Sequence, residues 1–326
     1  MSFFDEGRVI IRVAVNEMQP KAVNPRIPYG PEEVAAEAIA CGRAGASIVH
    51  FHSRLDDGAQ ALADDADGAG VYRRALELTA AESDVLMEPT NLPLGHDPSL
   101  AIELPHVWSL VKEPPAGARL EVVNVDGFRF AHNRTAWDER EQRLYSITNR
   151  KVDRNVAFDG PEIIREVLGH GLVPVFGLFD IADARILSAF AATGVVPEPV
   201  FVQLNFFCDL VRGPTPDIPG LDAFLAEWRR RSLDSEVCLF VRGMPDRSSY
   251  ERLLGAALDR GVHIRVGLGD NPQLFPAARN ADMVEHAIEL ASKKGLTPVT
   301  PAELRTRFGI PARDVAVTEL APRSTQ

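Results

Sequence analysis

Eight short runs rich in Val, Ile and Phe recur along the chain and alternate with stretches of helical periodicity, and that alternation limits the possible folds more than any other feature. The runs cover residues 9–15, 47–52, 84–90, 120–125, 173–180, 200–207, 236–242 and 263–268. Strands alternating with helices build βαβ units on a parallel sheet. Eight of them predict a closed (β/α)8 TIM barrel, and one such barrel with loop insertions accounts for residues 1–326 as a single domain.

The helical stretches cover residues 31–45, 71–82, 161–169, 181–194, 221–231, 247–260 and 281–294. Pro31 followed by Glu32 and Glu33 suits a helix start, where acidic groups face the positive end of the dipole. Asn280 is expected to cap the last long helix and Gly295 to end it. Thr300-Pro301-Ala302-Glu303 predicts a capping box that opens a short terminal helix. Two polar stretches, 55–70 and 131–159, interrupt the rhythm and are expected to be excursions on the barrel.

The open alternative, a doubly wound dinucleotide fold, lacks its fingerprint. The first strand is followed by Asn16-Glu17-Met18-Gln19-Pro20, not by a glycine-rich turn for a pyrophosphate. A formal net charge of −11 opposes nucleic-acid binding, which draws on cationic surface. Cys41, Cys208 and Cys238 are unpaired in spacing and are expected to be free packing thiols in a reducing compartment. With no export-signal pattern at the start and no bilayer-length apolar run, a cytoplasmic protein without membrane association is expected.

Chemistry concentrates at two strand ends. In Ile48-Val49-His50-Phe51-His52, alternation along the strand sends His50 and His52 to one side, the barrel interior at its upper rim. Two imidazoles so placed can share one divalent metal ion, and barrel enzymes build their sites at that rim. The alternative is one packed histidine and one solvated one. At the eighth strand, Arg265, Gly267 and Gly269 share a parity, setting a guanidinium beside two positions without side chains, with Asp270 at the rim. Arg265 then suits a ligand carboxylate and Asp270 a general base. A structural ion pair between Arg265 and Asp270 is the competing reading.

Four blocks taken together resemble the beta-keto acid cleavage enzymes. They are Asn24-Pro25-Arg26-Ile27-Pro28 with Pro31-Glu32-Glu33, Gly45 through His52, Gly261 through Leu268, and Asn280 with its helix. The resemblance implies a TIM barrel, a Zn2+ ion, a homo-oligomer of two or four chains, and acetyl-CoA as co-substrate. The implied reaction converts a β-keto acid and acetyl-CoA into acetoacetate and a new CoA thioester. It also implies that His50 and His52 are the metal ligands, Arg265 the carboxylate anchor, Asp270 the catalytic aspartate and Thr90 the substrate-contacting hydroxyl.

Two departures stand out. The family motif ends Gly-Leu-Glu-Asp with the glutamate as a further zinc ligand, and this chain has Gly269 there. A second family glutamate, on the fifth strand, corresponds to Gly177. Two imidazoles alone hold a catalytic metal poorly, so a replacement carboxylate is expected from Glu88, of the same parity as Thr90, or from Glu17 beyond the first strand. A salt bridge from either residue to Arg265 or Arg54 is the alternative.

Other chemistries are poorly served. No lysine among Lys21, Lys112, Lys151, Lys293 and Lys294 sits at a lumen-facing strand position for a Schiff base, and no G-x-S-x-G elbow is present. The rival from another class is a barrel with an altered or lost metal site, acting as a different metal-dependent carbon–carbon lyase or as an acyl-CoA or keto-acid binding protein. A basic residue near the seventh strand's end, Arg242 or Arg247, is expected to offer a contact for a CoA phosphate.

Overall fold

A computed structural model describes residues 2–61, 66–90, 104–126, 135–138, 143–146 and 156–312. The eight strands expected from the apolar runs all form: β1 Ile11–Ala14, β2 Ile48–Phe51, β3 Leu86–Pro89, β4 Val122–Asp126, β5 Val173–Leu178, β6 Val200–Phe207, β7 Ser235–Arg242 and β8 His263–Val266. They make one parallel sheet in the order β3-β2-β1-β8-β7-β6-β5-β4, which curls until it is nearly closed. A (β/α)8 barrel is the result.

Each strand is followed by a helix: α1 Gly30–Ala44, α2 Ala66–Ala80, α3 Pro105–Lys112, α4 Val156–Gly169, α5 Ile181–Ala192, α6 Ile218–Arg229, α7 Arg247–Asp259 and α8 Asn280–Ser292, with α9 Pro301–Arg307 at the end. Helix α3 escapes the periodicity because it is short and led by Pro105, and an antiparallel pair, Thr135–Asp138 with Arg143–Ser146, lies inside the polar 131–159 excursion.

The outward faces of the strands and the inward faces of the helices form the main core, with Val13, Val49, Leu204 and Leu239 fully buried against side chains such as Leu225 and Leu254. The lower lumen is apolar. Ile10, Ile48, Leu86, Val122, Val175, Phe201 and Cys238 fill it, and Phe3, Leu304 and Ile310 close it from below. Besides a buried pair at the floor, His263 with Glu236 at 2.8 Å, the polar groups that matter here lie in the middle and at the upper rim, the carboxyl ends of the strands.

Two local expectations need correction. Asn280 is the first helical residue, and its side chain turns back to the barrel rim instead of capping: Oδ1 accepts from the Leu268 N–H at 2.8 Å and Nδ2 donates to the Val15 carbonyl at 3.1 Å. Of the three free thiols only Cys41 and Cys238 are buried; Cys208 is exposed at the rim, 3.2 Å from the Met244 sulfur. The terminal capping box forms as expected, with Thr300 and Glu303 each accepting from the other's backbone N–H.

Candidate metal centre at the barrel rim

His50 lies on β2 and His52 just beyond it, and their rings stand edge to face with centroids 5.6 Å apart. Asn16 fixes this end of the strand, accepting from the His52 N–H at 2.9 Å and donating to its carbonyl at 3.1 Å. Glu17 follows Asn16 and takes a left-handed backbone conformation, φ 43°, which is costly for a residue with a Cβ. That turn aims its carboxylate at both rings: Oε2 is 2.6 Å from His52 Nε2 and Oε1 is 3.3 Å from His50 Nε2. One ligand atom from each of Glu17, His50 and His52 lies within 4.8 Å of the other two.

Glu88 sits elsewhere. It is completely buried in a two-pronged ion pair with Arg12 of β1, at 2.7 and 2.5 Å, and its Oε2 stands 3.8 Å from His50 Nδ1. Glu17 is thus the carboxylate that joins the imidazoles, while Glu88 stands behind one of them. Neither forms a bridge to Arg54, whose guanidinium packs on the Tyr29 ring and donates to the Gly58 carbonyl.

Arg265 on β8 pairs bidentately with Asp270, at 2.9 and 2.7 Å, and its Nη2 also donates to Glu17. Among the described residues its Nη1 has only a long 3.4 Å contact with Gln203. Asp270 reaches this position through Gly267, whose φ of 135° suits glycine and whose imagined Cβ would collide with the Ala14 carbonyl at 2.1 Å. Thr90 is buried at the end of the neighbouring strand β3, its N–H donating to the Phe51 carbonyl.

The charges interlock. Three carboxylates, the half-buried Glu17 and the buried Glu88 and Asp270, face two buried guanidiniums, on Arg12 and Arg265. Burial, and then the Arg265 charge, push His50 well below the usual imidazole range, so its ring is neutral. Burial alone would raise the Glu17 carboxyl, but His52 and Arg265 outweigh it and hold it well below the usual carboxylate range. Burial dominates at Asp270 and pushes it up to about 6 despite its guanidinium partner. Asp270 and Glu17 together raise Arg265 against the effect of burial.

These residues fit a divalent cation. Two imidazole nitrogens and a carboxylate oxygen are the donor set of a catalytic zinc site, the neutral His50 ring has a lone pair to give, and the excess negative charge of the lumen calls for a cation.

Several lumen residues escape a reading by motif. Arg12 carries the only charge in Ile10-Ile11-Arg12-Val13-Ala14, a signal that sequence inspection could have used. Gln203 accepts from Arg12 and donates to Asn205 Oδ1 at 2.6 Å. The Nδ2 of Asn205 and the Oδ1 of Asn124 are buried without a hydrogen-bond partner among the described residues.

Comparison with known proteins points to one family. A model of the beta-keto acid cleavage enzyme family matches residues 8–310. The chain is 26% identical to 3-dehydrocarnitine:acetyl-CoA trimethylamine transferase of Rhizobium meliloti (strain 1021), covering 88% of this chain and 91% of that protein. It is 25% identical to the 3-keto-5-aminohexanoate cleavage enzyme of Acetoanaerobium sticklandii, covering 89% and 93%. Among solved structures, apo ObcA superposes with a TM-score of 0.62 at 16% identity over 87% of this chain and 66% of ObcA, a likeness of fold.

Proposed function

The chain belongs to the beta-keto acid cleavage enzyme family, and from that premise we propose that it exchanges carbon fragments between a β-keto acid and acetyl-CoA, yielding acetoacetate and a new CoA thioester. Two relatives that match across most of the chain, from Rhizobium meliloti and Paraburkholderia graminis, are named as acetyl-CoA-dependent transferases. The observation that carries the reading is the convergence of Glu17, His50 and His52 beside the Arg265–Asp270 pair.

Glu17, His50 and His52 would hold a divalent ion, and we assign zinc from the donor set. Such an ion polarises a keto oxygen and stabilises negative charge developing on it. The chain's own groups do the rest. Arg265 meets the substrate carboxylate through Nη1, the edge that Gln203 engages only loosely. That contact fixes the C2 carbon of the keto acid near Asp270.

Asp270 is the general base: it takes a proton from C2, so that this carbon attacks the acetyl thioester and CoA leaves as thiolate. The thiolate adds to the original keto carbon, the old carbon–carbon bond breaks, and the proton held by Asp270 returns to the departing acetoacetate. Atoms and charge balance over the cycle. Burial suits Asp270 to this exchange, because a carboxyl raised toward neutrality both accepts and returns a proton readily.

Thr90 offers a hydroxyl to the substrate at the β3 end, and Asn124 and Asn205 offer an amide acceptor and donor from the far wall. Glu88 contributes indirectly, holding Arg12 and backing His50. We place the protein in the cytoplasm as one barrel domain, 1–326, in a homo-oligomer of two or four chains. Among the described residues no helix is long and apolar enough to cross a membrane.

The test is a panel of β-keto acids incubated with zinc-loaded protein and acetyl-CoA, with acetoacetate and the new thioester followed together. Stoichiometric formation of both with at least one acid is expected. Failure with every acid, by protein that has taken up zinc, would overturn the proposal.

A further inference from the structure

A second concavity opens at the same end of the barrel. A cleft of about 550 Å³ lies between the segment after β6 and the turn after β7, and none of the site residues named above lines it. It nevertheless shares a wall with the site. Phe207, in the cleft lining, packs edge-on against Phe240 at 5.4 Å, and the Arg265 guanidinium lies 4.3 Å over the other ring of that pair, Phe240. Gly243, also in the lining, donates its N–H to the Asp270 carbonyl at 3.3 Å. One aromatic layer therefore separates the cleft from the Arg265–Asp270 pair.

The lining combines two chemistries. Val211, 54% exposed, and Pro214 form part of an apolar slot. Arg212 stands at one lip, its guanidinium 3.8 Å over the Phe179 ring, and Arg252 stands exposed at the other, donating to Ser249 Oγ at 3.0 Å. The acidic residue in the lining, Asp217, is committed to α6, where it accepts the Gly220 N–H at 2.8 Å. Arg242 and Arg247, the phosphate contacts suggested by sequence, are instead paired with Asp209 and Glu251.

Acetyl-CoA must bring its thioester to Asp270, yet its phosphates cannot follow into a lumen that already holds three carboxylates, two of them fully buried. They need cations at the rim, an apolar slot for the adenine, and a short path for the pantetheine arm. The cleft supplies the first two, and it opens at the same end of the barrel, one aromatic layer away from the Arg265–Asp270 pair. We propose that it binds the adenosine and phosphate end of CoA, with Arg212 and Arg252 meeting the phosphates and Val211 and Pro214 contacting the adenine. This assignment rests on the acetyl-CoA reading of the site.

The test measures binding of CoA and of adenosine 3′,5′-bisphosphate to zinc-loaded wild type, Arg212→Ala, Arg252→Ala and the double variant by calorimetry. Arg252 is exposed and Arg212 half-buried on the Phe179 ring, so circular dichroism checks the fold of each variant. Each single substitution is expected to weaken both ligands ~10-fold, the loss of one charge-assisted contact. KM for acetyl-CoA should rise in step while KM for the keto acid stays level. Cys208, exposed in the lining, gives an independent readout: CoA should protect it from maleimide. If CoA binds the double variant as well as wild type, or leaves Cys208 open to maleimide, the location is wrong although the reaction stands. If wild type binds no CoA at all, the acetyl-CoA reading fails, and this assignment with it.

Discussion

A Cβ placed on Gly269 would lie 2.7 Å from Cγ of Glu17. The two positions compete for one volume beside the imidazoles. A side chain growing from 269 and the side chain of Glu17 cannot both occupy it, so a glycine at 269 is what leaves room for the carboxylate that reaches His50 and His52.

Gly269→Ala should therefore cost ~1–3 kcal/mol of stability, the range for overpacking a filled site, and should weaken metal binding by displacing Glu17. The imagined Cβ also lies 2.9 Å from the Ala14 carbonyl. Adding Glu17→Ala should accordingly restore only part of the lost stability. Chemical denaturation of the two single variants and the double variant checks this, and full restoration would mean that the backbone contact is harmless.

The Arg12–Glu88 pair is buried completely on both sides. Removing one partner leaves the other charge stranded, at a cost of ~3–5 kcal/mol, whereas apolar replacement of both is often close to neutral. Arg12→Met and Glu88→Met should each lower the denaturation midpoint sharply, and the double variant should recover most of the loss. Equal destabilisation by the singles and the double would show that the pair is not a unit.

Because burial pushes Asp270 up to about 6, its base form is lost as pH falls through that value. The acid limb of kcat/KM should lie near pH 6, and Asp270→Asn should abolish turnover while retaining zinc. The stability effect runs the other way. A carboxyl that binds its proton more tightly folded than unfolded favours the fold below its unfolded value of ~3.9. That contribution disappears as pH rises through about 6. Relative to wild type, Asp270→Asn should thus gain in stability between pH 4 and pH 7, apart from the constant loss of its bond to Arg265. A pH series of unfolding curves on metal-free protein measures this.

The barrel was legible in the sequence because its two periods are. Alternating apolar strands and helical stretches need no knowledge of tertiary contacts, and His50 and His52 follow from side-chain parity on a strand. Parity stops where the strand stops, so it cannot say where Glu17 points from a left-handed turn beyond β1. Nor can it choose among ion-pair partners within one lumen. Glu88 shares the correct face with His50, but strand register brings Arg12 across to it, and no local pattern carries register between residues 76 positions apart. Cys208 misled for a similar reason: cysteine is usually buried, but this one follows β6 directly, at a rim where a cleft opens.

The central claim is that Glu17 completes a metal site with the two histidines. Metal analysis after zinc loading and dialysis tests it most directly, with circular dichroism confirming the fold of each variant. About one zinc per chain is expected in wild type, with retention falling in Glu17→Ala by more than the ~10–100-fold in affinity that an outer partner typically contributes. Undiminished zinc in a folded Glu17→Ala protein would contradict the account.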